Sequence, residues 1–295
     1  MTRVDELELG EVGVEGAAAL SEIVARSLAG ASVATYVTEE PLAWEVLAQG
    51  DWDMLGAAER DGGAGASLRD LVEVARVWGR TIVPSPLLPT LMAKRWSADA
   101  RGRSGPIAVS VHTRSAGGRA VAPFADAPDL QVLSECSGPD SVVRAACGTP
   151  DDYAPSLRIA DVEVSTLWTA DAAREMRVVW AAEATGCAAQ MLADAVAYAK
   201  QREQFGQPIG RFQAIKHHLA NAHILAEQAE TAAILASLDS ERTLAASRFA
   251  FDASLRVIEI AIQVHGGLGF TWEMGLHMYL RHVGALRELA AALPA

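Results

Sequence analysis

Cysteine is scarce in this chain. Cys136, Cys147 and Cys187 are the only three, far apart and in no CxxC or metal-ligand spacing. That excludes a disulfide framework and a zinc site, and suits a reducing cytoplasm in which they act as small core side chains. Positive charge is short too. Lys and Arg number 25 against 37 Asp and Glu, a net charge of −12, which argues against nucleic-acid binding by phosphate neutralisation. No apolar stretch approaches the ~18 consecutive residues of a membrane span. The start, MTRVDELELGEV, lacks the apolar run of a signal peptide. The expectation is a cytoplasmic protein with no metal, no nucleic-acid partner and no membrane span.

What the chain does have is apolar content, 51% of its 295 residues, enough for a substantial core in one to three domains. Its texture changes twice. Residues 15–98 carry helical spacing, as in LRDLVEVARVWGRTI, where Leu68, Leu71, Val72, Ala75 and Trp78 share a face. Turn signals interrupt them at ERDGGAGAS and VPSPLLP. Residues 105–168 consist of short β-branched stretches such as PIAVSVHT, LQVLSE and SLRIADVEVSTLW, separated by Gly, Pro, Asp and Ser. From Asp171 onward the pattern is helical again, with breaks at 203–211, near 239–242 and at 265–271. The predicted fold is mostly α with a small β-domain: helices over 1–100, a β-domain over 101–170, and a bundle of roughly four long helices over 171–295.

Three features in the last zone carry chemistry. Met176, Trp180, Cys187, Met191, Ala195 and Tyr198 fall on one helical stripe, and Glu183 lies on it too. A carboxylate on an apolar face must be paired or protonated. Either it bonds a neighbouring Arg, Trp or backbone group, or it serves as a general base or ligand contact. The second feature is the junction REQFGQPIGRFQ. Arg202 closes one helix, Gln204 and Phe205 sit in the turn, and Gln213 lies just inside the next helix. A guanidinium fork suits pyrophosphate, amides suit a nucleotide or ribityl chain, and an aromatic ring can pack on another ring. The third is QVHGGLGFTWE, with Gln263, Gly266, Gly267 and Gly269. Its glycines would let backbone N–H groups approach a phosphate. No strand precedes it, so it is not a Rossmann fingerprint.

Taken together, RxQFGxPI followed by FQAIKHxLA, and later QVHGGLGFTWE with Leu280 and Arg281, closely resemble the acyl-CoA dehydrogenase family. DWDMLGAAERDGGAGASLRDLVEVARVWGRTIVPSPLLPT resembles the segment that closes that family's first helical domain. The resemblance implies a helical domain, a β-domain and a four-helix bundle, FAD as cofactor and a tetramer built from dimers. It implies an acyl-CoA substrate oxidised at Cα–Cβ, with electrons passed to a separate acceptor such as an electron-transfer flavoprotein. By the same resemblance, Arg202, Gln204, Phe205, Gln213, Gln263, Gly266, Gly267 and Gly269 grip the ADP half of a neighbouring subunit's FAD.

The chain departs from the family in two places. The region AVSVHTRSAGGRAVAPFADAPDL lacks the family's TEPxAGSD-like segment, and no Trp lies between Trp96 and Trp168. The catalytic Glu has no counterpart either. No Glu precedes a late Gly-Thr, and the other family position, 26 residues before Arg202, is Met176. Glu175 is adjacent but points about 100° away on a helix, leaving Glu183 as the substitute candidate and the base otherwise unassigned. Glu273 is expected at a helix N-terminus. This pattern resembles the short partner subunit of actinobacterial heterotetrameric, steroid-catabolism type acyl-CoA dehydrogenases, which implies a longer homologous subunit carrying the base. Two other readings stay open: a homo-oligomeric dehydrogenase with Glu183 as a divergent base, and a non-catalytic homologue without FAD.

Overall fold

The computed structural model describes residues 9–39, 42–113, 119–126 and 130–294. The first eight residues, and parts of the TRSAGG and APD stretches on which the β-domain reading drew, lie outside them.

Among the described residues six α-helices come first: α1 (Glu11–Ser27), α2 (Val33–Glu39), α3 (Trp44–Gln49), α4 (Leu68–Gly79), α5 (Leu87–Trp96) and α6 (Ala98–Arg101). Helix α4 starts at a capping box, the Ser67 hydroxyl accepting from Asp70 N–H while the Asp70 carboxylate accepts from Ser67 N–H. That satisfies two of the donors every helix start leaves open. The same carboxylate accepts from Gly10 N–H at 2.8 Å, tying the entry to α1 onto α4. Leu68, Leu71, Val72, Ala75 and Trp78 are all buried, as their spacing predicts.

Among the described residues five short strands follow: β1 (Val111–His112), β2 (Ala120–Ala122), β3 (Leu130–Leu133), β4 (Val142–Ala145) and β5 (Ala160–Asp161). They form an antiparallel sheet in the order β1-β2-β5 and a separate antiparallel pair, β3-β4. In the pair, Leu130 faces Ala145 and Leu133 faces Val142. Strands this short bury little surface of their own. Trp168, edge-to-face with Trp96 at 5.7 Å, donates its indole N–H to the Ser110 carbonyl and joins the strands to the helices.

Four long helices complete the chain: α7 (Ala170–Gln201), α8 (Gln213–Leu238), α9 (Thr243–His265) and α10 (Leu276–Ala292). Their breaks fall where the turn residues place them. Helix α7 departs from the predicted single stripe, because every residue from Met176 to Ala188 is buried. It is the central helix, with α4, α8, α9 and α10 packed around it, so it needs no polar face. Helices α4 and α7 approach backbone to backbone through two glycines. A Cβ on Gly79 would lie 2.0 Å from the Glu183 carbonyl oxygen, and one on Gly186 would lie 2.0 Å from that of Arg76.

Candidate functional site

Helix α7 ends when Arg202 N–H donates to the Tyr198 carbonyl at 2.8 Å. The chain then makes a tight antiparallel hairpin, β6 (Glu203–Gln204) and β7 (Gln207–Pro208). Its two central residues are Phe205 and Gly206, with φ of 54° and 79°. Positive φ at both central positions is the signature of a type I′ turn, normally filled by Asn-Gly. Phe205 therefore holds a bulky side chain in the left-handed region, a conformation costing on the order of 1–3 kcal/mol. Its ring is 92% exposed, touching Phe212 edge-on at 6.1 Å. Backbone strain and an apolar ring in water are two costs that the chain's own contacts do not offset.

The polar groups beside it are equally uncommitted. The Arg202, Gln213 and Gln263 side chains are exposed and make no hydrogen bond or ion pair among the described residues. The Gln204 amide donates only to the neighbouring Glu203 carbonyl. Helix α8 begins at Gln213 without a side-chain cap, so its first N–H groups stay open.

The glycine loop sits at the same end of the bundle. His265 closes α9, its Nδ1 2.8 Å from the Ala261 carbonyl oxygen and its ring stacked on Tyr198 at 4.5 Å. That stack sets the end of α7 against the end of α9. The three glycines differ in kind. Gly266 has φ 64° and ψ −141°, a pair of angles open in practice only to glycine. A Cβ on Gly269 would meet the Ile262 carbonyl oxygen at 2.7 Å, so its requirement arises inside the chain. Gly267 has neither constraint: its φ is not positive, and a Cβ there meets nothing within 4 Å. Around the loop, Phe270 and Trp272 are 68% and 52% exposed, an apolar surface of the kind that marks an interaction site. Glu273 is exposed in the turn before α10 rather than inside a helix N-terminus.

The carboxylates take other roles. Glu183 is 4% exposed, its Oε1 3.1 Å from His282 Nε2. The opposite ring nitrogen of His282 lies 2.8 Å from the Ser156 hydroxyl. The partner of Glu183 is thus a histidine, not the Arg, Trp or backbone group the sequence suggests. His282 follows Leu280 and Arg281, and only its helical phase, facing the same core as Tyr279 and Val283, could have flagged it. The Ser-His-Glu order resembles a nucleophilic triad, but Ser156 is fully buried, with no surface open to a substrate. Glu183 also raises the Cys187 thiol's pKa, after burial, which is the larger cause. Glu175 accepts from Arg95 Nε at 3.0 Å and from the Trp96 indole at 2.8 Å. Met176 is buried. Arg281 donates to the Asp152 carbonyl and lies over the Tyr153 ring, engaged within the chain. Among the described residues no cluster could hold a metal, and no helix is long and apolar enough to cross a membrane.

The family model for the acyl-CoA dehydrogenase C-terminal domain matches residues 168–290. The chain is similar to acyl-CoA dehydrogenase IpdE2 of Mycobacterium tuberculosis, 32% identical over 83% of this chain and 81% of that protein. It is also similar to acyl-CoA dehydrogenase FadE34 of the same organism, 35% identical over 75% of this chain but only 36% of the relative's length. Three solved structures share the fold. The Tcur3481–Tcur3483 steroid ACAD superposes with a TM-score of 0.73 at 22% identity, covering 95% and 93% of the two chains. The ChsE4–ChsE5 complex from Mycobacterium tuberculosis gives 0.73 at 16% identity over 97% and 95%. PigA, solved as an FAD complex, gives 0.71 at 15% over 95% and 94%. With the long bundle in place and a relative matched along four-fifths of its length, this chain belongs to the acyl-CoA dehydrogenase family.

Proposed function

We propose that this chain is the flavin-completing subunit of a hetero-oligomeric acyl-CoA dehydrogenase, paired with a longer homologous subunit in an α2β2 assembly. The observation that carries this reading is the turn at 202–206. A guanidinium with no partner among the described residues and a strained, exposed phenylalanine carry costs that a molecule covering them would offset.

The residues present fit FAD approached from outside the chain. Arg202 would supply a two-donor fork to the pyrophosphate, Gln204, Gln213 and Gln263 amide contacts, and Phe205 an apolar surface. Gly266 and Gly267 would let the backbone approach a phosphate, with Gly269 seating the loop on α9. FAD brings the capacity to accept the hydride equivalent when an acyl-CoA is oxidised to its α,β-unsaturated form. This chain's residues bind and orient; none is placed to take the substrate α-proton. Glu183 is held by His282 in the core, and Met176 stands where some family members carry the base. That function is assigned to the longer subunit. The ChsE4–ChsE5 and Tcur3481–Tcur3483 structures each name two proteins, which supports a two-chain assembly. The latter supports a steroid-derived CoA thioester as substrate; the acceptor proposed with it is an electron-transfer flavoprotein-like protein.

The test of the division of labour is Glu183→Gln in the assembled enzyme. Gln keeps the size of the side chain and can still hydrogen-bond His282, but it cannot take a proton. Turnover is expected within a few-fold of wild type at full FAD content. Removal of a general base would cost on the order of 10²-fold or more, and that loss in an intact assembly would make this chain catalytic.

A further inference from the structure

Away from the turn and loop, the start of α7, the first half of α9 and the end of α10 enclose a cleft of about 590 Å³, a volume typical of small-molecule sites. Its walls hold three guanidinium groups, on Arg177, Arg248 and Arg287, beside the apolar Leu244 and Phe251. Both carboxylates there, Asp252 and Glu288, are taken by Arg287 at 3.3 and 3.4 Å. Among the described residues Arg248 has no ion pair.

Arg177 is the informative member. It is buried, 6% exposed, and bonds only to carbonyls: Nε to Ala290, and one Nη to Leu293 and Pro294. Those bonds complement the C-terminal end of α10, but no described carboxylate neutralises the charge. Burial lowers its pKa with nothing opposing the shift. A buried cation without a counter-ion is costly, and its second Nη is unpartnered. The Ser247 hydroxyl on the same wall is fully buried and also makes no hydrogen bond. A cleft with one cation in excess, an idle buried hydroxyl and an apolar flank is complementary to an anion carrying an apolar body.

We infer that the Arg177–Arg248 cleft binds a small amphipathic carboxylate, its head group between the two guanidinium groups and its apolar part against Leu244 and Phe251. The carboxylate would supply the charge missing at Arg177, while Arg248 at the mouth draws the anion in. The site is distinct from the glycine loop, since it lies at the opposite end of α9.

Titration calorimetry on the full chain tests this with three ten-carbon probes: decanoate, decan-1-ol and decylammonium. Decanoate should bind saturably at one per chain, with the alcohol at least about tenfold weaker and the amine weaker still. Loss of one charge-assisted contact corresponds to about a ten- to hundredfold drop in affinity. Arg248→Glu is exposed, so it should cause that drop with no change in melting temperature. Arg177→Gln should cause a larger drop, and because it also removes the cap on α10, the Arg248 variant decides the matter if Arg177→Gln is unstable. Equal affinity for decanoate and decan-1-ol, absence of saturable decanoate binding, or full affinity in Arg248→Glu would each overturn the inference. So would loss of decanoate binding once the chain is assembled with a second subunit, since the cleft would then be a covered interface.

Discussion

Phe205 sits in the left-handed region at the centre of a two-residue hairpin, and among the described residues Arg202 beside it makes no hydrogen bond or ion pair through its side chain. Neither residue supports the fold, and that gives mutants at this turn a clean readout. Arg202→Ala should leave the melting temperature unchanged while lowering FAD affinity of the assembled protein about ten- to hundredfold, as expected for one charge-assisted bond of roughly 1.5–3 kcal/mol. Retained flavin titrated against added FAD measures it, and unchanged affinity would show that the guanidinium is only a surface charge. Gly267 gives a second separation. With open space at its Cβ and no positive φ, Gly267→Val should fold like wild type yet lose FAD more severely than Leu268→Ala. Equal flavin retention by the two would reduce the loop to a corner between helices. At this scale the sequence displayed the exposed donors plainly. It could not distinguish the three glycines: conformation requires Gly266 and packing requires Gly269, while neither constrains Gly267. Nor could it pair Glu183 with His282, 99 positions away, because helical phase shows which side a residue faces but not what meets it there.

Among the elements, the four long helices and their breaks were legible because their apolar spacing is long and their stops carry Gly, Pro and Asp. The strands were legible only as a zone: runs of two to four paired residues fall below the length at which alternation can be counted. Helix α7 was read as a stripe since stripe positions are all that a single face predicts. Its burial on every side comes from tertiary packing. The glycines hidden in that helix are the sensitive points. Gly186→Ala would place a methyl 2.0 Å from the Arg76 carbonyl oxygen, which backbone cannot yield cheaply, so α4 and α7 must separate. Overpacking of this kind typically costs about 1–3 kcal/mol. Urea denaturation of Gly186→Ala should show a lowered midpoint of that order. An unaltered midpoint would mean that the two helices are not held at that crossing.

The whole molecule exposes Phe205, Phe270 and Trp272 at one end of its bundle, beside the Arg202, Gln213 and Gln263 side chains that have no partner among the described residues, while Glu183, Asp53 and Asp70 in the core are paired. Such a surface fits the proposed role of a chain that completes another's site. In the sequence the same proposal rests on a mismatch between motifs that resemble the family's nucleotide contacts and the lack of its catalytic Glu. The most direct measurement is the visible flavin absorbance of the purified chain, alone and after co-assembly with a longer homologous subunit. The account predicts a colourless chain alone and a yellow complex with one FAD per pair of unlike subunits. A yellow, catalytically active homo-oligomer of this chain by itself would contradict it.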